Sequence, residues 1–106
     1  LGDVYKRQVL GDMLELGAES HSGHYGVGQE CVRCGVDVLL CVGPEAAAIC
    51  EGARDGQTTM TVRHEESNET VIAWLHENLK PGDTVLVKGS RGMHMEEIVR
   101  ALLQRE

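Results

Sequence analysis

The chain has 106 residues, 42% hydrophobic and 25% charged, the balance of one ordinary globular domain rather than of a disordered or collagen-like polypeptide. Seventeen Asp and Glu against ten Lys and Arg give a formal net charge of −7. That sign excludes a general binder of nucleic acid or anionic membrane, so any bound anion needs a local site.

No apolar run approaches the roughly 18 residues of a membrane span, and no apolar core of a secretory signal appears, so a soluble, non-secreted chain is expected. The four cysteines are accordingly expected as free, mostly buried thiols rather than a disulfide framework. Phenylalanine is absent, and Tyr5, Tyr25 and Trp74 are the only aromatic residues. The core must be aliphatic, which speaks against single-strand recognition by base stacking.

Leu1–Gln8 carries no apolar alternation, and Tyr5-Lys6-Arg7-Gln8 would sit badly in a buried strand. Residues 1–8 are expected to be an edge extension or a junction, with one domain over residues 9–106. Val9-Leu10-Gly11-Asp12-Met13 predicts a short strand, followed by a loop at Glu15-Leu16-Gly17. Residues 19–34 predict a helix, with Val27, Cys31 and Cys34 at i, i+4 and i+7 and Gly35 as its C-cap. Gly23, Gly26 and Gly28 each cost a helix about 1 kcal/mol relative to Ala, which argues for a later start.

Val38–Val42 is a continuous apolar run, the mark of a strand covered on both faces. Pro44 suits a first helical position, and Ala46, Ile49 and Ala53 share the face of the helix after it. Thr59–Val62 predicts a weaker strand. Ser67 can cap a helix that repeats Val71, Leu75 and Leu79, and Lys80-Pro81-Gly82-Asp83 suits a type II turn. Val85–Val87 predicts a buried strand, and the last helix places Met95, Ile98, Val99 and Leu102 on one face. Strand and helix alternate four times, which predicts an α/β domain: a mainly parallel sheet of about four strands with helices on both faces.

Ligands of such sheets gather beyond the carboxyl ends of the strands, and two segments fall there. Lys88-Gly89-Ser90-Arg91-Gly92 joins a strand to a helix and sets two cations, a hydroxyl and helix-terminal N–H groups where a carboxylate or phosphate can bind. It reads equally as a tight turn whose charges pair with Glu96 or Glu97. Asp12 and Glu15, after the first strand, suit an ammonium group, a hydroxyl or a metal-bound water, or simply capping and solvation. His21, His24, Cys31 and Cys34 have zinc-ligand spacing, but the cysteines fall on the helix face expected to pack, and no metal site is expected. A Cys-x-x-Cys at a helix end is poorly placed for redox work. No G-x-x-x-x-G-K-[ST] phosphate loop and no G-x-S-x-G elbow occurs, so no complete active site is present.

Three segments taken together, Val9-Leu-Gly-Asp-Met-Leu-Glu-Leu-Gly17, His24-x-x-Val27-Gly28 and Lys80-Pro-Gly-Asp-x-Val-Leu-Val-Lys-Gly-Ser-Arg-Gly92 with Met95-Glu96, resemble the C-terminal domain of the MurF family of Mur ligases over residues 9–106. The resemblance implies a Rossmann-like fold within a three-domain, bacterial, cytoplasmic enzyme of peptidoglycan synthesis. Such an enzyme joins D-Ala-D-Ala to UDP-MurNAc-tripeptide through an acyl phosphate. Its other domains hold the UDP-sugar and, on a phosphate loop, ATP and Mg2+. The resemblance further implies substrate- or ATP-side binding by Lys88, Gly89, Ser90, Arg91, Asp12 and His24, no catalytic residue or metal ligand in this chain, and no ligase activity by the chain alone. The family's own first strand, with an Asn-Pro segment, should precede Val9; Leu1–Gln8 does not match it. Two other readings are a stand-alone Rossmann-like module for a small anion, and a thiol-redox protein built on Cys31 or Cys34.

Overall fold

The computed structural model describes residues 5–56 and 59–104; the expectations for Leu1–Val4 lie outside them. Four strands and four helices alternate: β1 (Lys6–Gly11), α1 (Ser20–Arg33), β2 (Val38–Val42), α2 (Ala47–Asp55), β3 (Thr61–Glu65), α3 (Asn68–Asn78), β4 (Thr84–Lys88) and α4 (Glu96–Leu103). Single 3-10 turns at Gly17–Glu19 and Arg91–Met93 lead towards α1 and α4. The strands form one parallel sheet in the order β3-β2-β1-β4. Val9, on a central strand, faces Leu40 on one side and Val87 on the other.

Helices cover both faces, as the alternation predicts. Leu10, Leu39 and Cys41 meet Cys31 of α1 and Ile49, Cys50 and Ala53 of α2 on one face. Val9, Val38, Leu40 and Val42 meet Val71 and Leu75 of α3 and Ile98 of α4 on the other. Every residue of β2 is buried, as its unbroken apolar run requires. Ser67 Oγ accepts the Thr70 N–H and caps α3, Gly35 past α1 has φ +73°, and the Asp83 N–H closes the 80–83 turn on the Lys80 carbonyl.

Helix α1 starts at Ser20, one residue after the predicted start and still ahead of all three of its glycines. The physical reason is a close crossing with α2. A Cβ at Gly28 would run into the Ile49 carbonyl and the Ala53 N–H, and one at Gly52 into the Tyr25 carbonyl. Contact between the two backbones offsets the poor helix propensity.

Other expectations shift. Lys6, Arg7 and Gln8 belong to β1 rather than to an extension outside the sheet. Arg7 is buried because its Nε donates to Asp83 Oδ2 (3.0 Å) and its Nη2 to the Asn78 carbonyl (2.9 Å). Its guanidinium also lies 4.7 Å from the Tyr5 ring centre and 5.6 Å from that of Trp74. A paired, ring-stacked arginine can take a place that an apolar pattern alone would not allot to it. Strand β3 begins at Thr61, two residues later than predicted, since an edge strand with exposed Arg63 and His64 carries little apolar signal. Strand β4 is also an edge, with alternate residues exposed rather than buried throughout. Pro44 lies three residues ahead of α2, Cys34 is exposed at the end of α1, and Val99 points outward while Ile98 fills the core. Among the described residues no helix is long and apolar enough to cross a membrane.

Candidate functional site

Successive crossovers carry the chain from β1 through β2 to β3, and α3 then returns it to β4 on the far side of β1. The connections after β1 and β4 therefore leave towards opposite faces, α1 on one and α4 on the other. The crevice between their carboxyl ends is the switch point where open α/β sheets bind ligands. Both predicted segments border it.

Ser90 joins the two loops there. Its N–H donates to the Asp12 carbonyl (3.1 Å), and its Oγ accepts the Leu14 N–H (2.8 Å). Beneath it the two strand ends nearly touch: a Cβ at Gly89 would lie 2.7 Å from Met95 Cγ and 3.3 Å from Gly11 Cα. Only glycine lets the loop pass so close.

Asp12 and His24 are brought to the same place but turn inward. Asp12 is buried, and its Oδ1 accepts the Ala46 N–H at 2.7 Å, holding the turn that leads into α2. His24 is fully buried; its Nδ1 donates to the Ser20 carbonyl (2.6 Å), and its Nε2 accepts the Met13 N–H (2.9 Å). The hydrogen bonds select the Nδ1–H tautomer. Asp12, His24 and Ser90 thus shape the two loops, and Glu15 stands exposed beside them with φ 68°.

Lys88, Gly89 and Arg91 are the exposed members. Among the described residues no ion pair holds Lys88 or Arg91. Glu96 faces His94 instead, and Glu97 Oε1 accepts from Asn68, so the turn with self-paired charges does not form. The helix terminus is not the one expected either. Arg91–Met93 is a 3-10 turn, His94 is left-handed at φ 54°, and α4 starts only at Glu96, with Glu96 and Glu97 in its first turn. The helix's own carboxylates occupy its positive end, so attraction for an anion rests on Lys88 and Arg91. Below Lys88 a groove of about 420 Å³ runs between β4, β1 and α1, floored by Leu10, Val27 and Leu86.

The zinc reading and a redox role for Cys31 find no support in the geometry. His21 pairs with Glu51 at 3.1 Å, away from the buried His24, and among the described residues no three His, Cys, Asp or Glu side chains converge on a common point. All four thiols are free. Burial, helped by Cys34 and Glu30, pushes the Cys31 thiol up to about 11, so it stays protonated and a poor nucleophile at neutral pH.

Sequence reasoning missed Asn68 as a neighbour of this edge. Its Nδ2 reaches the loop after β4 from 25 residues away, and nothing in its local pattern announces that contact. The two left-handed non-glycine residues, Glu15 and His94, were equally silent.

A doubly covered parallel sheet with a glycine-backed switch point is a Rossmann-like domain. More particularly, residues 4–91 match the family described as Mur ligase, glutamate ligase domain, and the chain belongs to that family. It is 39% identical over 100 residues to the UDP-N-acetylmuramoyl-tripeptide–D-alanyl-D-alanine ligase of Escherichia coli K12, covering 92% of this chain and 21% of that protein. The Bacillus subtilis ligase of the same name is 36% identical, covering 93% of this chain and 22% of that protein. Among solved structures, MurF from Acinetobacter baumannii superposes with a TM-score of 0.82 at 28% identity, over 95% of this chain and 22% of that one. MurF from Thermotoga maritima in complex with ADP gives 0.73 at 26% identity, over 92% and 21%. The chain spans about a fifth of the length of these relatives.

Proposed function

We propose that the chain works as the C-terminal, dipeptide-side part of a bacterial cytoplasmic ligase that joins D-Ala-D-Ala to UDP-MurNAc-tripeptide, its domain taking in the whole of β1 from Lys6. The observation that carries this reading is the pair of exposed cations, Lys88 and Arg91, without ion-pair partners among the described residues, at the switch point of a Mur ligase domain. A free carboxylate is their natural guest, and the carboxyl end of D-Ala-D-Ala supplies one. Lys88 acts as a mobile point charge, and the guanidinium of Arg91 offers a planar fork for both carboxylate oxygens. Gly89 lets the backbone come near, and Ser90, Asp12 and His24 keep the two loops in place. Orientation of the dipeptide, not proton transfer, is what these residues contribute.

ATP and Mg2+ are assigned to the remainder of the longer protein. No phosphate-loop motif occurs here, and among the described residues no group of His, Cys, Asp or Glu suits a metal ion. The comparisons speak for the ligase over a stand-alone anion module, since the matched relatives carry the ligase name.

A graft tests the proposal. The chain replaces the matching segment of the Escherichia coli ligase, and phosphate release is followed with ATP, tripeptide precursor and D-Ala-D-Ala. Dipeptide-dependent turnover by the graft, and none by the purified chain alone, is expected. Turnover by the chain alone would refute the partial-enzyme reading, and a folded but inactive graft would count against the shared function.

A further inference from the structure

We propose that Asn68 is a positioning residue for Arg91, an inference that rests on the carboxylate-binding role given to Arg91 above. Asn68 opens α3, but that helix does not need it as a cap, because Ser67 Oγ already takes the Thr70 N–H. Its side chain is spent on the other loop. Nδ2 lies 3.0 Å from the Met93 carbonyl, 3.2 Å from the His94 carbonyl and 3.0 Å from Glu97 Oε1. All three are acceptors, so the amide must present its NH2 to them, with two hydrogens shared among the three. Oδ1 is buried and, among the described residues, has no hydrogen-bond partner. An amide that leaves its oxygen unsatisfied in order to hold two carbonyls and a carboxylate is placed for the loop rather than for its own helix.

What it holds is the base of the turn that carries Arg91. The Met93 N–H donates to the Ser90 carbonyl (2.9 Å), the His94 N–H to the Arg91 carbonyl (3.4 Å), and His94 takes the left-handed conformation that ends the turn. Ser90 ties one end of this segment to the loop after β1, and Asn68 ties the other end to α3. Arg91 itself is exposed and, among the described residues, has no ion pair, so the backbone between these two anchors sets the point and the Cα–Cβ direction from which its side chain reaches out. Left-handed backbone at a non-glycine residue persists only where its surroundings hold it, and Asn68 supplies that hold at His94.

Two substitutions separate positioning from ordinary helix support. Asn68→Asp keeps the size and favours the α3 terminus by its charge, but turns the donor into an acceptor facing three acceptors. Asn68→Ala removes the contact without adding charge. In the 106-residue chain, amide hydrogen exchange at Met93 and His94 is expected to accelerate at least about tenfold in both variants, with Val71 and Leu75 within α3 unchanged. In a titration with D-Ala-D-Ala followed by chemical shifts, Asn68→Ala is expected to weaken binding by roughly the factor seen for Arg91→Ala, and to add little to it in the double variant. Unchanged exchange at Met93 and His94, or additive losses in the double variant, would overturn the inference. If the parent chain shows no dipeptide binding, the carboxylate reading fails with it, and the exchange data alone then decide whether Asn68 holds the turn.

Discussion

The two ends of the sheet treat their cations in opposite ways. At the amino end, Arg7 is buried, paired with Asp83, bonded to the Asn78 carbonyl and stacked near Tyr5 and Trp74. At the carboxyl end, Lys88 and Arg91 are exposed on a glycine-backed loop and lack ion-pair partners among the described residues, although Glu96 and Glu97 are near in sequence. A cation whose donors are used up by the fold holds the fold together. One kept free by the fold is available to a ligand, which is why the carboxyl end carries the proposed function.

The largest effect should come from breaking the amino end. Arg7→Ala strips a buried pair and leaves Asp83 without its main counter-charge, which should lower the thermal midpoint by roughly 10 °C or more, read by calorimetry. Binding of D-Ala-D-Ala by the molecules still folded should not change. A parallel loss of stability and affinity would mean that the two ends are not independent.

Acid should reveal the same asymmetry. The Lys80 backbone N–H and, behind it, the Arg7 guanidinium hold the Asp83 carboxyl below the usual carboxylate range. The stability that Asp83 contributes is therefore complete above its unfolded value of about 3.9 and is lost as pH falls through the lower folded value. Asp83→Asn should flatten the stability curve in that acid window, as measured by urea unfolding between about pH 2 and 5. No such change is expected from Arg91→Ala.

Next comes the clamp between the loops. Ser90→Ala removes the acceptor of the Leu14 N–H and should cost about 1 kcal/mol in urea unfolding, together with a loss of dipeptide affinity. The smallest effect on stability belongs to the ligand-side cations: Lys88→Ala and Arg91→Ala should each stay within about 0.5 kcal/mol of the parent in unfolding experiments. A large destabilisation by either would show that it supports the fold after all.

The same contrast explains how much was legible in the sequence. The continuous apolar run of β2 and the spaced Val71 and Leu75 of α3 announced their burial, because burial in this core is aliphatic and periodic. Arg7 could not be read that way. Its hydrogen-bond partners lie more than 70 residues away, and only the adjacency of β1 and β4 makes a charged residue acceptable in a central strand. The site was legible as a cationic glycine loop at a strand end. Its division of labour was not, because Asp12 and His24 spend their polar atoms on backbone groups that only the folded loops bring within reach. Gly28 misled for a related reason: its value lies in an α2 backbone that local propensity does not see.

The most direct test of the uncommon freedom of Lys88 and Arg91 is a chemical-shift titration of the chain with D-Ala-D-Ala and with the same dipeptide amidated at its carboxyl end. Roughly millimolar binding by the free acid is predicted, with shifts centred on Gly89–Gly92 that vanish for the amide and require several-fold more dipeptide in Arg91→Ala. Equal shifts from acid and amide, or binding untouched by Arg91→Ala, would contradict the account.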